Sequence, residues 1–142
     1  MKKFIVSMFA LFLTLSLLQT GTIFAKESSN NSSPQHWTVP SSAKNTPNPV
    51  KADAKVIAAG KKIFSRQCTT CHGASGKGDG PAAQFLGKPV ANLTSELVQS
   101  QTDGELFWKI STGNAPMPTF KAALTEEQRW QIITYLRTLK AK

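Results

Sequence analysis

Two cysteines, one histidine and one methionine carry the chemistry legible in this chain. Cys68-Thr69-Thr70-Cys71-His72 is a C-x-x-C-H run. At that spacing two thiols can reach the two vinyl groups of one porphyrin and close thioether bonds, the attachment pattern of a c-type haem. The histidine beside the second cysteine is then held under the ring, where an imidazole nitrogen can ligate iron. Two rival readings are weaker. A dithiol redox pair usually follows a strand–helix pattern, whereas the residues before Cys68 have helical spacing. A zinc site needs about four ligands. The chain holds two cysteines and two histidines, and His36 lies in a low-complexity stretch. The run therefore predicts one haem, attached through Cys68 and Cys71, with His72 beneath the iron.

The second chemical position is Met117, within Gly113-Asn114-Ala115-Pro116-Met117-Pro118. Methionine occurs at positions 1, 8 and 117, so removal of a leader would leave Met117 as the sole thioether. It lies 45 residues after His72, and its flanking prolines exclude regular helix and fix a loop. A methionine is often soft core filler, and that reading stands beside ligation on the residues alone.

The C-x-x-C-H run followed by a proline-bracketed methionine resembles the class I, mono-haem cytochromes c of the small bacterial type. The resemblance covers roughly Asp53 to the C-terminus. It implies an all-α cytochrome c fold, three to five helices around one covalently attached haem. His72 and Met117 are then the two axial iron ligands. A six-coordinate iron leaves no position for a substrate, so the implied role is single-electron transfer rather than catalysis. Methionine favours ferrous iron and raises the potential relative to a second histidine.

The elements that must position these groups are readable. Asp53 is a plausible N-cap, and Val56, Ile57, Gly60, Ile63 and Phe64 share one helical face, with Lys55, Lys61, Lys62 and Arg66 opposite. Glycine inside a helix costs up to about 1 kcal/mol, so Gly60 calls for a packing reason. In the resembled family a glycine and an aromatic four residues later let the first helix cross the last. Gly60 and Phe64 match that arrangement.

His72 to Leu93 reads as a loop, punctuated by Gly73, Gly76, Gly78, Gly80, Pro81, Gly87 and Pro89. It lacks the lysine followed by serine or threonine of a phosphate-binding P-loop. By resemblance, Gly76–Pro81 is the loop beside the proximal histidine, and a backbone carbonyl near Pro81 accepts the outer imidazole N–H of His72. Lys88-Pro89 and Asn92-Leu93-Thr94 would run along the haem edge. Thr102 and Glu105 form a capping box opening a helix to Ser111, with Leu106, Phe107 and Ile110 toward the haem. Trp108 has two readings, an indole N–H to a propionate or plain packing. Thr125-Glu126-Glu127-Gln128 opens the last helix, whose inner stripe is Ile132, Tyr135, Leu136 and Leu139, flanked by Trp130 and Ile133.

Around this domain, placed at 52–142, the chain has two further parts. Residues 1–25 read as a secretory signal peptide, with Lys2 and Lys3 before an apolar run from Phe4 to Leu18. That run is 15 residues, short of the roughly 20 that span a bilayer, so cleavage and a periplasmic location without stable membrane insertion are expected. Residues 26–51 are rich in serine, asparagine, proline and threonine, a composition that favours a flexible linker. Docking of Trp37 and His36 onto the domain is the alternative.

The formal net charge is +9, or +7 without Lys2 and Lys3. Two haem propionates bring it to about +5. An exported basic protein points away from nucleic acid and toward redox partners with acidic docking surfaces, with simply solvated lysines as the plainer account. Two other functions remain at this stage. One is the haem-bearing subunit of a multisubunit oxidoreductase; the other is a ligand-binding haem protein in which Met117 leaves the iron. The residues specify no oligomeric state.

Overall fold

A computed structural model of the chain describes residues 37–140. The leader over 1–25, the first part of the linker with His36, and residues 141–142 lie outside the described residues.

The regular structure is all-α: α1 (Ser41–Lys44), α2 (Ala54–Gln67), α3 (Thr69–His72), α4 (Glu96–Gln99), α5 (Asp103–Thr112) and α6 (Glu126–Arg137), with a 3-10 turn at Ala83–Phe85. The three long helices are the ones expected. Three single turns, α1, α3 and α4, bring the total among the described residues to six. Each long helix begins where its cap residue places it. The Asp53 carboxylate accepts from the Val56 amide at 2.8 Å, and both Thr102–Glu105 and Thr125–Gln128 close reciprocal capping boxes. These side chains satisfy amides that the first helical turn leaves without partners.

The core is the crossing of α2 with α6. Phe64 from α2 and Trp130, Ile132, Ile133, Tyr135 and Leu136 from α6 are buried, and Leu106 and Ile110 of α5 join them. The backbones meet at Gly60. A Cβ there would stand 2.0 Å from the Gln131 carbonyl oxygen and 3.0 Å from Tyr135 Cβ, so only glycine permits this approach. One turn on, the Phe64 and Tyr135 rings sit with centroids 5.3 Å apart, within the range where tilted aromatic pairs attract.

The other end of α6 is fastened by Arg137. Its guanidinium meets the Asp103 carboxylate at 2.6 Å and donates to the Gln99 and Gln101 carbonyls at 2.9 and 2.6 Å. One side chain thereby ties the end of α6 to α4 and to the start of α5.

Phe107 departs from the expectation. It turns from the cavity and stacks on Trp130, with ring centroids 4.0 Å apart and 12° between planes. The Arg129 guanidinium covers the Phe107 ring at 4.6 Å and donates to Ser111 Oγ and, at 3.4 Å, to the Thr125 carbonyl. The apolar face of α5 is thus shared between the cavity, reached by Leu106 and Ile110, and α6, met by Phe107.

Candidate functional site

One cavity of about 1240 Å³, its open mouth included, lies beside the helix crossing. Cys68, Cys71 and His72 line it from the end of α2 and from α3, and Met117 lines it from the loop after α5. The structure therefore brings all four sequence-predicted site residues to one space. The walls are mostly apolar: Phe64, Leu106, Ile110, Phe120, Ile132 and Leu136 come from the core, and Val90, Ala91 and Leu93 from the long loop.

Local geometry explains how each group is presented. The C-x-x-C-H turn continues from α2, with the His72 amide donating to the Cys68 carbonyl at 2.8 Å. The glycine-rich loop then folds back over it. Gly78 and Gly80 donate to the His72 and Cys71 carbonyls at 2.8 and 3.1 Å, and Ala82 donates to Thr70 at 2.9 Å.

His72 Nδ1 lies 3.1 Å from the Ala91 carbonyl oxygen. The expected acceptor near Pro81 is corrected to Ala91: the Gly78–Ala82 stretch meets the backbone of the Thr70–His72 turn, and the carbonyl that reaches the imidazole ring comes from the later part of the loop, after Pro89. Burial pushes the His72 pKa down, and the Ala91 bond partly opposes that. The neutral ring donates its Nδ1 proton to Ala91, leaving Nε2 with a free lone pair.

Met117 is half-buried between exposed prolines. Asn114 and Met117 exchange two backbone hydrogen bonds, at 2.9 and 3.0 Å, closing a tight turn that fixes where the thioether starts.

Cys68 and Cys71 are both half-buried on the cavity wall. Burial, and secondarily the neighbouring Cys71, push the Cys68 pKa up to about 12. A redox dithiol usually follows a strand–helix pattern, whereas Cys68 here follows directly on the long helix α2. Two thiols, one imidazole with a single free nitrogen and one thioether around an apolar space are instead the donors that a covalently held haem takes. The residues fit the group.

The Cytochrome c family model matches residues 57–140. The chain belongs to the cytochrome c family. It is 30% identical to cytochrome c6 of Leptolyngbya boryana over 79 residues, which are 56% of this chain and 87% of that one. Among solved structures it is similar to a Kuenenia stuttgartiensis reducing HAO-like protein complex, Kustc0457/Kustc0458. The TM-score is 0.56 at 28% identity, covering 66% of this chain and 47% of that one. It is also similar to the KustC0563 c-type cytochrome, with TM-score 0.51 at 26% identity over 58% of this chain and 98% of that one. The chain is accordingly a small mono-haem class I c-type cytochrome, a haem-binding protein of electron transport.

Sequence reasoning missed three features of this cytochrome c. The Ala91 carbonyl is one, since backbone acceptors leave no mark in side-chain types. Gln101 and Lys109 on the cavity wall are the second; the Lys109 ammonium donates to Gln101 Oε1 at 2.7 Å. The third is where Trp37 docks: it lines the cavity and packs edge-on against Trp108, centroids 6.1 Å apart at 75°. Of the two readings of Trp108, packing is what its surroundings display, and of the two readings of Trp37, docking.

Proposed function

We propose that Cys68 and Cys71 would hold haem c by thioether bonds and that His72 Nε2 and the Met117 sulfur would ligate its iron. The protein then passes single electrons between redox partners in the periplasm. The observation that carries this reading is that His72 and Met117, 45 residues apart, line one apolar cavity with both cysteines. The haem supplies the redox couple. The chain's own residues orient the imidazole through Ala91, hold the thioether in its turn, and keep water from the ring with Phe64, Ile110, Phe120 and Leu136. With His72 and Met117 both holding the iron, no position would remain for a substrate.

The test is an absorption spectrum of the haem-loaded protein, oxidised and reduced, with and without carbon monoxide. Low-spin spectra, a sulfur-to-ferric-iron band and no response to carbon monoxide are expected. Met117→Ala should lose that band, bind carbon monoxide and fall in potential. High-spin spectra or prompt carbon monoxide binding in the parent protein would sink Met117 as a ligand.

A second reading is favoured by the likeness to the HAO-like complex, of which this chain spans under half the length of the matched chain. In it the protein is the electron-carrying subunit of a larger oxidoreductase. Stable co-purification with a second chain would favour that, and a freely exchanging monomer the shuttle.

A further inference from the structure

Residues 37–50 precede the segment matched by the family, 57–140, yet they are fastened to the wall of the cavity. α1 lies on the first turn of α5, where a Cβ on Gly104 would stand 1.9 Å from the Ala43 carbonyl oxygen. Lys44 meets Glu105 at 3.6 Å, and the Asn48 amide donates to Thr134 Oγ1 at 3.2 Å. This strap delivers Trp37 to the cavity, where the Lys109 ammonium lies 5.7 Å from its ring centroid.

A haem brings two carboxylates into a space whose walls are mostly apolar. A buried carboxylate needs a cation or hydrogen-bond donors to offset its desolvation. The cations lining the cavity are Lys88 and Lys109. Lys88 is exposed, whereas Lys109 is half-buried beneath Trp37. Burial lowers the Lys109 pKa, and nearby Glu105 works against that. Glu105 is itself occupied by Lys44 and by the Thr102 amide.

We propose that Trp37 and Lys109 form a clamp over the carboxylate edge of the haem, with Lys109 Nζ pairing a propionate and Trp37 shielding that pair from water. The inference rests on the haem reading above. It assigns the upstream strap a part in setting the cofactor's electrostatics.

The test uses the haem-loaded full-length chain, with reduction potential measured against pH for the parent, Lys109→Gln, Lys109→Arg and Trp37→Ala. A propionate that loses its cation ionises at higher pH. The pH at which the potential bends should therefore rise by about one unit in Lys109→Gln and by less in Trp37→Ala. Lys109→Arg should keep the parent profile. The neighbouring charges, Glu105, Lys44 and Lys88, are unchanged throughout. A parent-like bend in Lys109→Gln or in Trp37→Ala overturns the clamp, even if the variant melts at lower temperature, because a purely structural role would not move the pH profile. Absence of covalent haem in the parent would instead overturn the reading beneath it.

Discussion

His72 uses one ring nitrogen on the Ala91 carbonyl, and that bond decides which nitrogen remains for a metal. The types and spacing of Cys68, Cys71, His72 and Met117 were legible from the chain because thiols, imidazole and thioether each bring distinctive chemistry. Ala91 was not, because any residue offers a carbonyl and only the loop's return selects this one. The direction of Phe107 was equally hidden. Leu106, Phe107 and Ile110 share one apolar stripe, and periodicity does not say which edge of it meets α6. This difference is measurable. Phe107→Ala removes a ring stacked between Trp130 and Arg129 and should cost about 3 kcal/mol of stability, read by denaturant titration of the haem-loaded protein. Its haem spectrum should stay as in the parent. Ile110→Ala, at the cavity wall, should disturb both.

At the scale of elements, the caps and the helix crossing were readable in advance. Asp53, Thr102 and Thr125 satisfy amides by a local rule that needs no tertiary information. Gly60 announced a close approach because glycine is otherwise a cost within a helix. Gly60→Ala should force α2 and α6 apart and destabilise the protein by about 1–3 kcal/mol; a parent-like denaturant midpoint would count against the contact with Gln131. The strap was harder to foresee. Its few apolar residues suggest a chain that cannot order itself, and it is ordered here by α5 and by Thr134, neither adjacent to it in sequence. The single turns α3 and α4 are too short for periodicity to register. They are fixed by what precedes and follows them.

Across the whole molecule the charge is strongly basic, +9 over the full chain, and the exposed lysines of α2 form part of it. If that charge steers encounter with an acidic redox partner, the second-order electron-transfer rate should fall about tenfold or more as added salt shortens the Debye length from about 30 to about 3 Å. Stopped-flow mixing of reduced protein with such a partner checks this. A rate indifferent to salt would identify the lysines as merely solvated.

The crossing at Gly60 has a further consequence. It joins the helix that leads into the cysteines to the last helix of the domain, so the intervening chain is a closed circuit. The 3-10 turn at Ala83–Phe85, where Phe85 is 79% exposed, sits on that circuit between His72 and Met117. A break there would separate the proposed proximal and distal ligands into different polypeptides without opening the α2–α6 contact. In architectural terms the molecule is two interlocking half-proteins, one bearing the cysteines and His72 and the other Met117, and the cavity proposed to hold the haem is the seam between them.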